Sequence, residues 1–437
     1  MIYGGGDFVG EYRITGGARL TGEVTIGGSK NAVLPILAAT VLGKRSVIHN
    51  CPKISDTYCT IDILRGLGCD VGFDGHTIVV DARGIASHHL PEDLMDKMRS
   101  SIIFAGGLLG RFGLVVAHYP GGCSLGDRPI DLHLEAFRQL GALVEEEGQV
   151  IYARAKKLAG ARVVMKKTSV GATQNAILAA VLAKGTTTIE NAAREPEIVD
   201  LQRFLVAAGA KVTGAGTSTV IIEGVAELGD VEHTIMPDRI VAGTYLAAGA
   251  ITGGHIRLNN VVYEDIKPIA DRLADAGVTV TLEEKAVALA APQRLAAIDY
   301  MATGPHPGFP TDMQPQFTAM LATAHGNSII SEKVFDARDK HVAELAKMGA
   351  DIRNVDRKRF HISGVQRLHG AVVEAHDLRC GAALILAGLG AYGETVVGNS
   401  IYVERGYEAI HQDLQALGAD VKFVTARSQN NPKPQDI

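Results

Sequence analysis

The chain has 437 residues, 46% hydrophobic and 21% charged, with a formal net charge of -5. Those proportions describe an ordinary folded globule, long enough for two or three cores, and exclude a disordered or low-complexity chain. The mild acidity provides no electrostatic footprint for nucleic acid, and five scattered cysteines without a CxxC pair read as reduced thiols of a cytoplasm.

At the start, Met1-Ile2-Tyr3-Gly4-Gly5-Gly6-Asp7 carries no basic region ahead of an apolar run, so no signal peptide is expected. Beyond it the chain repeats itself. An amphipathic helix ends in an apolar or small residue, a glycine and a strand at Leu67-Gly68-Cys69-Asp70-Val71, Leu140-Gly141-Ala142-Leu143-Val144 and Ala208-Gly209-Ala210-Lys211-Val212. The same pattern returns at Ala276-Gly277-Val278-Thr279-Val280, Met348-Gly349-Ala350-Asp351-Ile352 and Leu417-Gly418-Ala419-Asp420-Val421. By subtraction the six glycines lie 73, 68, 68, 72 and 69 residues apart. A fixed period dictates architecture, and the expectation is an α/β protein of six similar units. Helical spacing inside a unit is visible at Leu134, Phe137 and Leu140. The glycines themselves read as left-handed helix caps and carry no chemistry. Gly185-Thr186-Thr187-Thr188-Ile189, Gly326-Asn327-Ser328-Ile329-Ile330 and Gly393-Glu394-Thr395-Val396-Val397 open matching strands that run toward charged loops. The longest apolar stretches, such as 242–251, carry glycines and fall short of a membrane span. Only the tail, 428–437, reads as disordered.

Chemistry-bearing segments follow in chain order. Gly27-Gly28-Ser29-Lys30-Asn31-Ala32 precedes an apolar helix; exposed backbone N–H groups and a lysine suit an anion, although alone the motif reads as a plain helix start with an exposed lysine. Pro120-Gly121-Gly122-Cys123-Ser124-Leu125-Gly126-Asp127-Arg128-Pro129-Ile130-Asp131-Leu132 follows a strand at 114–117. A cysteine near an arginine on a glycine-rich loop has the setting of a reactive thiol; a small buried residue in a turn is the competing reading. The GxSxG string inside it lacks the helix that a hydrolase elbow needs directly after its serine, and is a chance match. Phe309-Pro310-Thr311-Asp312-Met313-Gln314-Pro315-Gln316 sets an aspartate between prolines, either a helix cap or a carboxylate held to take a proton. Arg99, Arg128, Arg379 and Arg405, with Arg194, Arg239 and Arg338 as further candidates, supply forks for phosphate and carboxylate. Phosphate-loop, HExxH and zinc spacings are absent.

With these residues in view, the chain resembles the UDP-N-acetylglucosamine 1-carboxyvinyltransferases, the enolpyruvyl transferases of peptidoglycan synthesis. The likeness runs to about Val424. It rests on Gly28-Ser29-Lys30-Asn31-Ala32, Met98-Arg99-Ser100-Ser101, Pro120-Gly121-Gly122-Cys123 with Arg128-Pro129-Ile130-Asp131-Leu132, and Ser169-Val170-Gly171-Ala172-Thr173. Glu190-Asn191-Ala192-Ala193-Arg194-Glu195-Pro196-Glu197, Pro237-Asp238-Arg239, Pro310-Thr311-Asp312-Met313-Gln314, Asp377-Leu378-Arg379 and Arg405-Gly406-Tyr407-Glu408 complete it.

The resemblance implies two inside-out α/β barrels of three units each, helices within and sheets outside. It implies one domain over 30–237 and a discontinuous second from 1–29 and 238–437. The implied reaction moves the enolpyruvyl group of phosphoenolpyruvate to the 3′-hydroxyl of UDP-N-acetylglucosamine and releases phosphate, the first committed step of peptidoglycan precursor synthesis. Cys123 matches the proton donor, which is also the thiol attacked by fosfomycin, and Asp312 the group that takes the hydroxyl proton. Lys30, Arg128, Arg379 and Arg405 match the grip on phosphate and carboxylate. Asn31, Arg99, Arg128, Pro129, Ile130, Asp131, Leu132, Lys167, Ser169, Val170, Gly171 and Val334 match contacts to the nucleotide sugar. No metal or organic cofactor is implied, the partners are the two small substrates rather than nucleic acid or membrane, and the location is cytoplasmic. Departures are Ser29 for alanine, Asp339 for an aromatic residue after Arg338, Cys380 for alanine after Arg379, Ile103 where some members have tryptophan, and no tryptophan anywhere. The rivals are the sister enzyme acting on shikimate 3-phosphate, which Cys123 and Lys30-Asn31 disfavour, and a non-catalytic binding protein. The presence of Cys123, Asp312 and Lys30 together argues against the latter.

Overall fold

The computed structural model describes residues 10–121 and 129–425. One unit shows how the sequence builds all of them. The strand Arg45–His49 leads into the helix Ser55–Gly66, whose chain reverses at Gly68, φ +99°, where only glycine avoids strain. A hairpin follows, Asp70–Asp74 and Thr77–Asp81, and its second strand pairs antiparallel with both its neighbour and Arg45–His49. The equivalent glycines Gly141, Gly209, Gly277, Gly349 and Gly418 all have φ between +86° and +102°. The cap reading of the repeat is therefore what the backbone adopts.

Six small sheets result among the described residues, five of four strands and one of three. Each buries alternate residues on one face, as in Thr186–Glu190, where Thr187 and Ile189 point inward. Inside lie helices apolar on every side. Lys30–Ala39, Phe104–Phe112 and Val170–Ala180 fill one core; Arg239–Ile251, Gln314–Leu321 and Leu378–Gly390 fill a second. The amphipathic helix of each unit covers the core with one face only, as Ile266, Ile269 and Leu273 do in Tyr263–Asp275.

The cores divide the chain unevenly. Buried apolar residues from Ala32 to Met236 form one, while Tyr12 to Ile26 and Ile240 to Val421 form the other. Pairing explains this split. Gly10–Thr15 lies between Glu394–Gly398 and Asp420–Thr425, and Thr21–Thr25 runs parallel to His255–Asn259. Val231–Thr234 returns to pair in parallel with Arg45–His49. The chain thus passes between the cores twice, near Lys30 and near Asp238.

Candidate active site

A cavity of about 1050 Å³ opens where the chain passes between the cores, and both sides line it. The helix Lys30–Ala39 begins two residues after Gly28, whose missing side chain admits the Asn50 carbonyl; a Cβ there would lie 1.7 Å from that oxygen. Ser29 makes no side-chain cap. Instead the Lys30 N–H donates to Asp238 Oδ2 at 3.0 Å, while Asp238 Oδ1 accepts from the N–H groups of Ile240 (2.8 Å) and Val241 (3.0 Å). One buried carboxylate thus satisfies the starts of two helices, one from each core.

Lys30 is no exposed lysine; its side chain is 13% exposed and its Nζ lies 2.7 Å from Asp56 Oδ2. Asp56, in the first turn of Ser55–Gly66, also accepts from Arg405 Nε at 2.9 Å and Nη2 at 3.4 Å. Burial pushes the Lys30 ammonium down, and Arg405 and Arg379 add to that against the pull of Asp56. For Asp56 burial works upward, but Lys30 and Arg405 overcome it and hold the carboxyl below its usual range. Two cations around one internal carboxylate make a place where a small anion finds its counter-charges assembled.

Asp312 sits on the single turn Thr311–Met313 and makes no cap bond. Its Oδ1 accepts from Arg338 Nη1 at 3.0 Å, and its Oδ2 accepts from Arg379 Nη2 at 2.9 Å and Asn31 Nδ2 at 3.4 Å. Burial alone would raise this carboxyl, yet the Arg379 and Arg338 guanidinium groups hold it well below the usual range. Asp377 in turn fixes Arg379 by capping the helix Leu378–Gly390, accepting from the N–H groups of Arg379 (2.9 Å) and Cys380 (3.0 Å). Of the other residues singled out in the sequence, Arg99, Pro129, Asp131, Leu132, Lys167, Ser169, Val170, Gly171 and Val334 line the same cavity. Ile130 does not; at 2% exposure it belongs to the first core. Cys123 and Arg128 lie outside the described residues, as do the GxSxG string and the tail 428–437.

A family model for EPSP synthase (3-phosphoshikimate 1-carboxyvinyltransferase) matches residues 14–414. UDP-N-acetylglucosamine 1-carboxyvinyltransferase 2 of Caldanaerobacter subterraneus subsp. tengcongensis is 47% identical over 94% of this chain and 99% of that relative. UDP-N-acetylglucosamine 1-carboxyvinyltransferase 1 of Symbiobacterium thermophilum is likewise 47% identical, over 94% of this chain and 95% of its own length. The chain belongs to the UDP-N-acetylglucosamine 1-carboxyvinyltransferase family. Among solved structures, the enolpyruvyl transferase NikO from Streptomyces tendae superposes with a TM-score of 0.86 at 27% identity, covering 96% of this chain and 100% of that one. An EPSP synthase from Acinetobacter baumannii, at TM-score 0.70 and 18% identity over 95% of this chain and all of its own, shares the fold. The inside-out α/β architecture is therefore that of the enolpyruvyl transferases.

Within this carboxyvinyltransferase family, the departures seen in the chain have structural consequences. Asp339, where the resemblance leads one to expect an aromatic residue, makes polar ties, accepting from Arg357 Nε and Asn354 Nδ2, each at 3.1 Å. Cys380 brings no reactive thiol to the site: it is wholly buried and its thiol is pushed up to about 12 by burial and then by Asp377. Burial likewise raises Cys51 to about 12 and Cys59 and Cys69 to about 11, so no described cysteine has thiolate character near neutral pH. Of the further arginines, Arg338 grips Asp312 and Arg239 pairs with buried Glu197 at 2.9 Å, whereas Arg194 is exposed and lies off the cavity lining. Asp56 escaped the sequence reading, because a carboxylate in a helix's first turn is commonplace. No helix among the described residues is long and apolar enough to cross a membrane.

Proposed function

We propose that this chain transfers the enolpyruvyl group of phosphoenolpyruvate to the 3′-hydroxyl of UDP-N-acetylglucosamine and releases phosphate. The observation that carries the chemistry is an ionised Asp312 clamped by Arg338 and Arg379 in the cavity that also holds Lys30 and Arg405. The nucleotide sugar enters as acceptor through the carboxyvinyltransferase relatives, 47% identical over nearly the whole of both chains.

In this reading Asp312 accepts the proton of the attacking hydroxyl as its oxygen bonds to C2 of phosphoenolpyruvate. The methylene carbon gains a proton from Cys123, giving a tetrahedral ketal. Phosphate then leaves with its bonding pair and the methyl carbon gives up a proton, restoring the double bond. Lys30, Arg128, Arg379 and Arg405 compensate the phosphate and carboxylate charges through both steps. Asn31, Arg99, Pro129, Asp131, Leu132, Lys167, 169–171 and Val334 hold the nucleotide sugar. Segments 30–237, and 1–29 with 238–437, act as two domains whose closure excludes water. Both substrates are small phosphorylated metabolites, which fits a cytoplasmic enzyme.

The test is phosphate release from purified protein given phosphoenolpyruvate with UDP-N-acetylglucosamine, or with shikimate 3-phosphate as the alternative acceptor. Release with the nucleotide sugar alone is the expected result. Release with shikimate 3-phosphate alone would transfer the chain to the sister reaction, and silence with both would leave a binding protein.

A further inference from the structure

Glu332 lies behind the cavity wall rather than in it, at 1% exposure, and the reaction as derived gives it no part. A buried carboxylate is costly unless its oxygens are satisfied, and here they collect donors from three separate segments. Oε1 accepts from the N–H groups of Val334 (2.7 Å) and Phe335 (3.0 Å) and from Thr303 Oγ1 (2.9 Å). Oε2 accepts from Thr311 Oγ1 at 2.8 Å. Thr303 Oγ1 also receives the Lys333 N–H at 2.9 Å, closing the turn around the carboxylate.

The direction of these bonds matters. Since the Thr311 hydroxyl hydrogen is committed to Glu332, its oxygen is turned to accept, and Arg338 Nη1 donates to it at 3.0 Å. The same Nη1 donates to Asp312 Oδ1 at 3.0 Å. Donation therefore runs outward from Arg338 Nη1, on one side to Asp312 and on the other through Thr311 to Glu332, and the far end of Glu332 holds the backbone beside Val334. Arg338 is further fixed by packing its guanidinium over the Phe335 ring, 4.7 Å to the centroid. One side chain so sets the position of both the loop carrying Asp312 and the loop carrying Val334.

We propose that Glu332 is a positioning residue for the transfer reaction, aligning the Asp312 carboxylate with the nucleotide-sugar contact at Val334. This rests on Asp312 being the group that accepts the hydroxyl proton. Glutamine at 332 would keep an oxygen for the two backbone N–H groups but would present an amide N–H to Thr311. The Thr311 hydroxyl hydrogen then loses its acceptor, and Arg338 loses the negative charge behind it.

The experiment compares Glu332→Gln, Thr311→Val and Thr311→Ser with the parent in the full chain, measuring kcat, KM for each substrate, pH profile and thermal midpoint. Both Glu332→Gln and Thr311→Val should lower kcat on the order of 10-fold through misplacement of the base. The acidic limb of the pH profile should move to higher pH as Arg338 loosens from Asp312, and Thr311→Ser should restore kcat. KM for UDP-N-acetylglucosamine should change little in either variant, because the glutamine oxygen still accepts from the Val334 and Phe335 N–H groups. Should Glu332→Gln fail to fold, Thr311→Val and its serine rescue decide the matter. Folded variants with parental kcat and pH profile would overturn the proposal, as would a uniform loss with an unmoved profile, which marks a merely structural role. Asp312→Asn, assayed alongside, separates the two levels: parental turnover there sinks the base assignment itself, whatever Thr311→Val does.

Discussion

The Arg379 and Arg338 guanidinium groups hold the Asp312 carboxyl well below its usual range, so that in the proposed reaction it would be an ionised but weak base. Asp312→Asn should therefore bind both substrates, seen by calorimetry, while turnover falls by about 10²–10⁴. Cys123→Ala should likewise lose turnover, and intact-mass measurement should show fosfomycin adding to the parent but not to this variant. A parental adduct on Cys123→Ala would move the reactive thiol elsewhere, against the raised pKa values of the four described cysteines. Asp312 was open to a sequence reading because flanking prolines set it apart; Asp56 and Glu332 were not, since their partners lie far away in the chain, Asp56 meeting Arg405 and Glu332 meeting Thr303.

Glycines at two kinds of position separate local from tertiary demands on the helices. Gly209 has φ +102°, and a Cβ added there would meet nothing within 4 Å, so Gly209→Ala carries only the backbone cost, about 1–2 kcal/mol. Gly106, inside the helix Phe104–Phe112, has ordinary helical geometry, but its Cβ would fall 2.3 Å from the Asn175 carbonyl oxygen. Its N–H also donates to Asn175 Oδ1 at 2.7 Å. Gly106→Ala should gain helix propensity yet lose more through forced separation from Val170–Ala180, on the order of 1–3 kcal/mol. Denaturant melts of the two variants test this, and a stabilised Gly106→Ala would refute the close-packing account. The first position announces itself by recurring in every unit; the second is a single glycine whose neighbour is set by the packing of two buried helices.

Across the whole molecule, Arg405 from the segment packed on one core meets Asp56 and Lys30 from the other, and these charges couple folding to pH. The folded pKa of Asp56 is depressed, as is that of Asp312. Their stabilisation is therefore complete above the unfolded value, about 3.9, and drains away as pH falls through the folded values. Asp56→Asn leaves two cations facing each other without their carboxylate and should cost about 3 kcal/mol at neutral pH. The gap to the parent should narrow as pH drops below about 4, measured by denaturant melts across the acid range; a gap constant with pH would mean that shape, not charge, is what Asp56 supplies.

Much of this architecture was already written in the order of residues. Helix periodicity, the six glycines and the β-branched strands are local signals, and local sterics suffice to cap a helix at Gly68 or Gly418. Periodicity foretold six alike units, the resemblance implied that they share two cores, and the motif residues Lys30, Asp312, Arg379 and Arg405 do line one cavity. Which partner each charge meets was decided only by the fold. Lys30 looks exposed in sequence and is buried against Asp56; Ile130 sits within a binding motif and packs into a core. Electrostatic pairing falls off within a few ångströms, so it is governed by contacts between segments remote in the chain, 67 residues apart for Arg379 with Asp312 and 349 for Arg405 with Asp56, and no short window contains them.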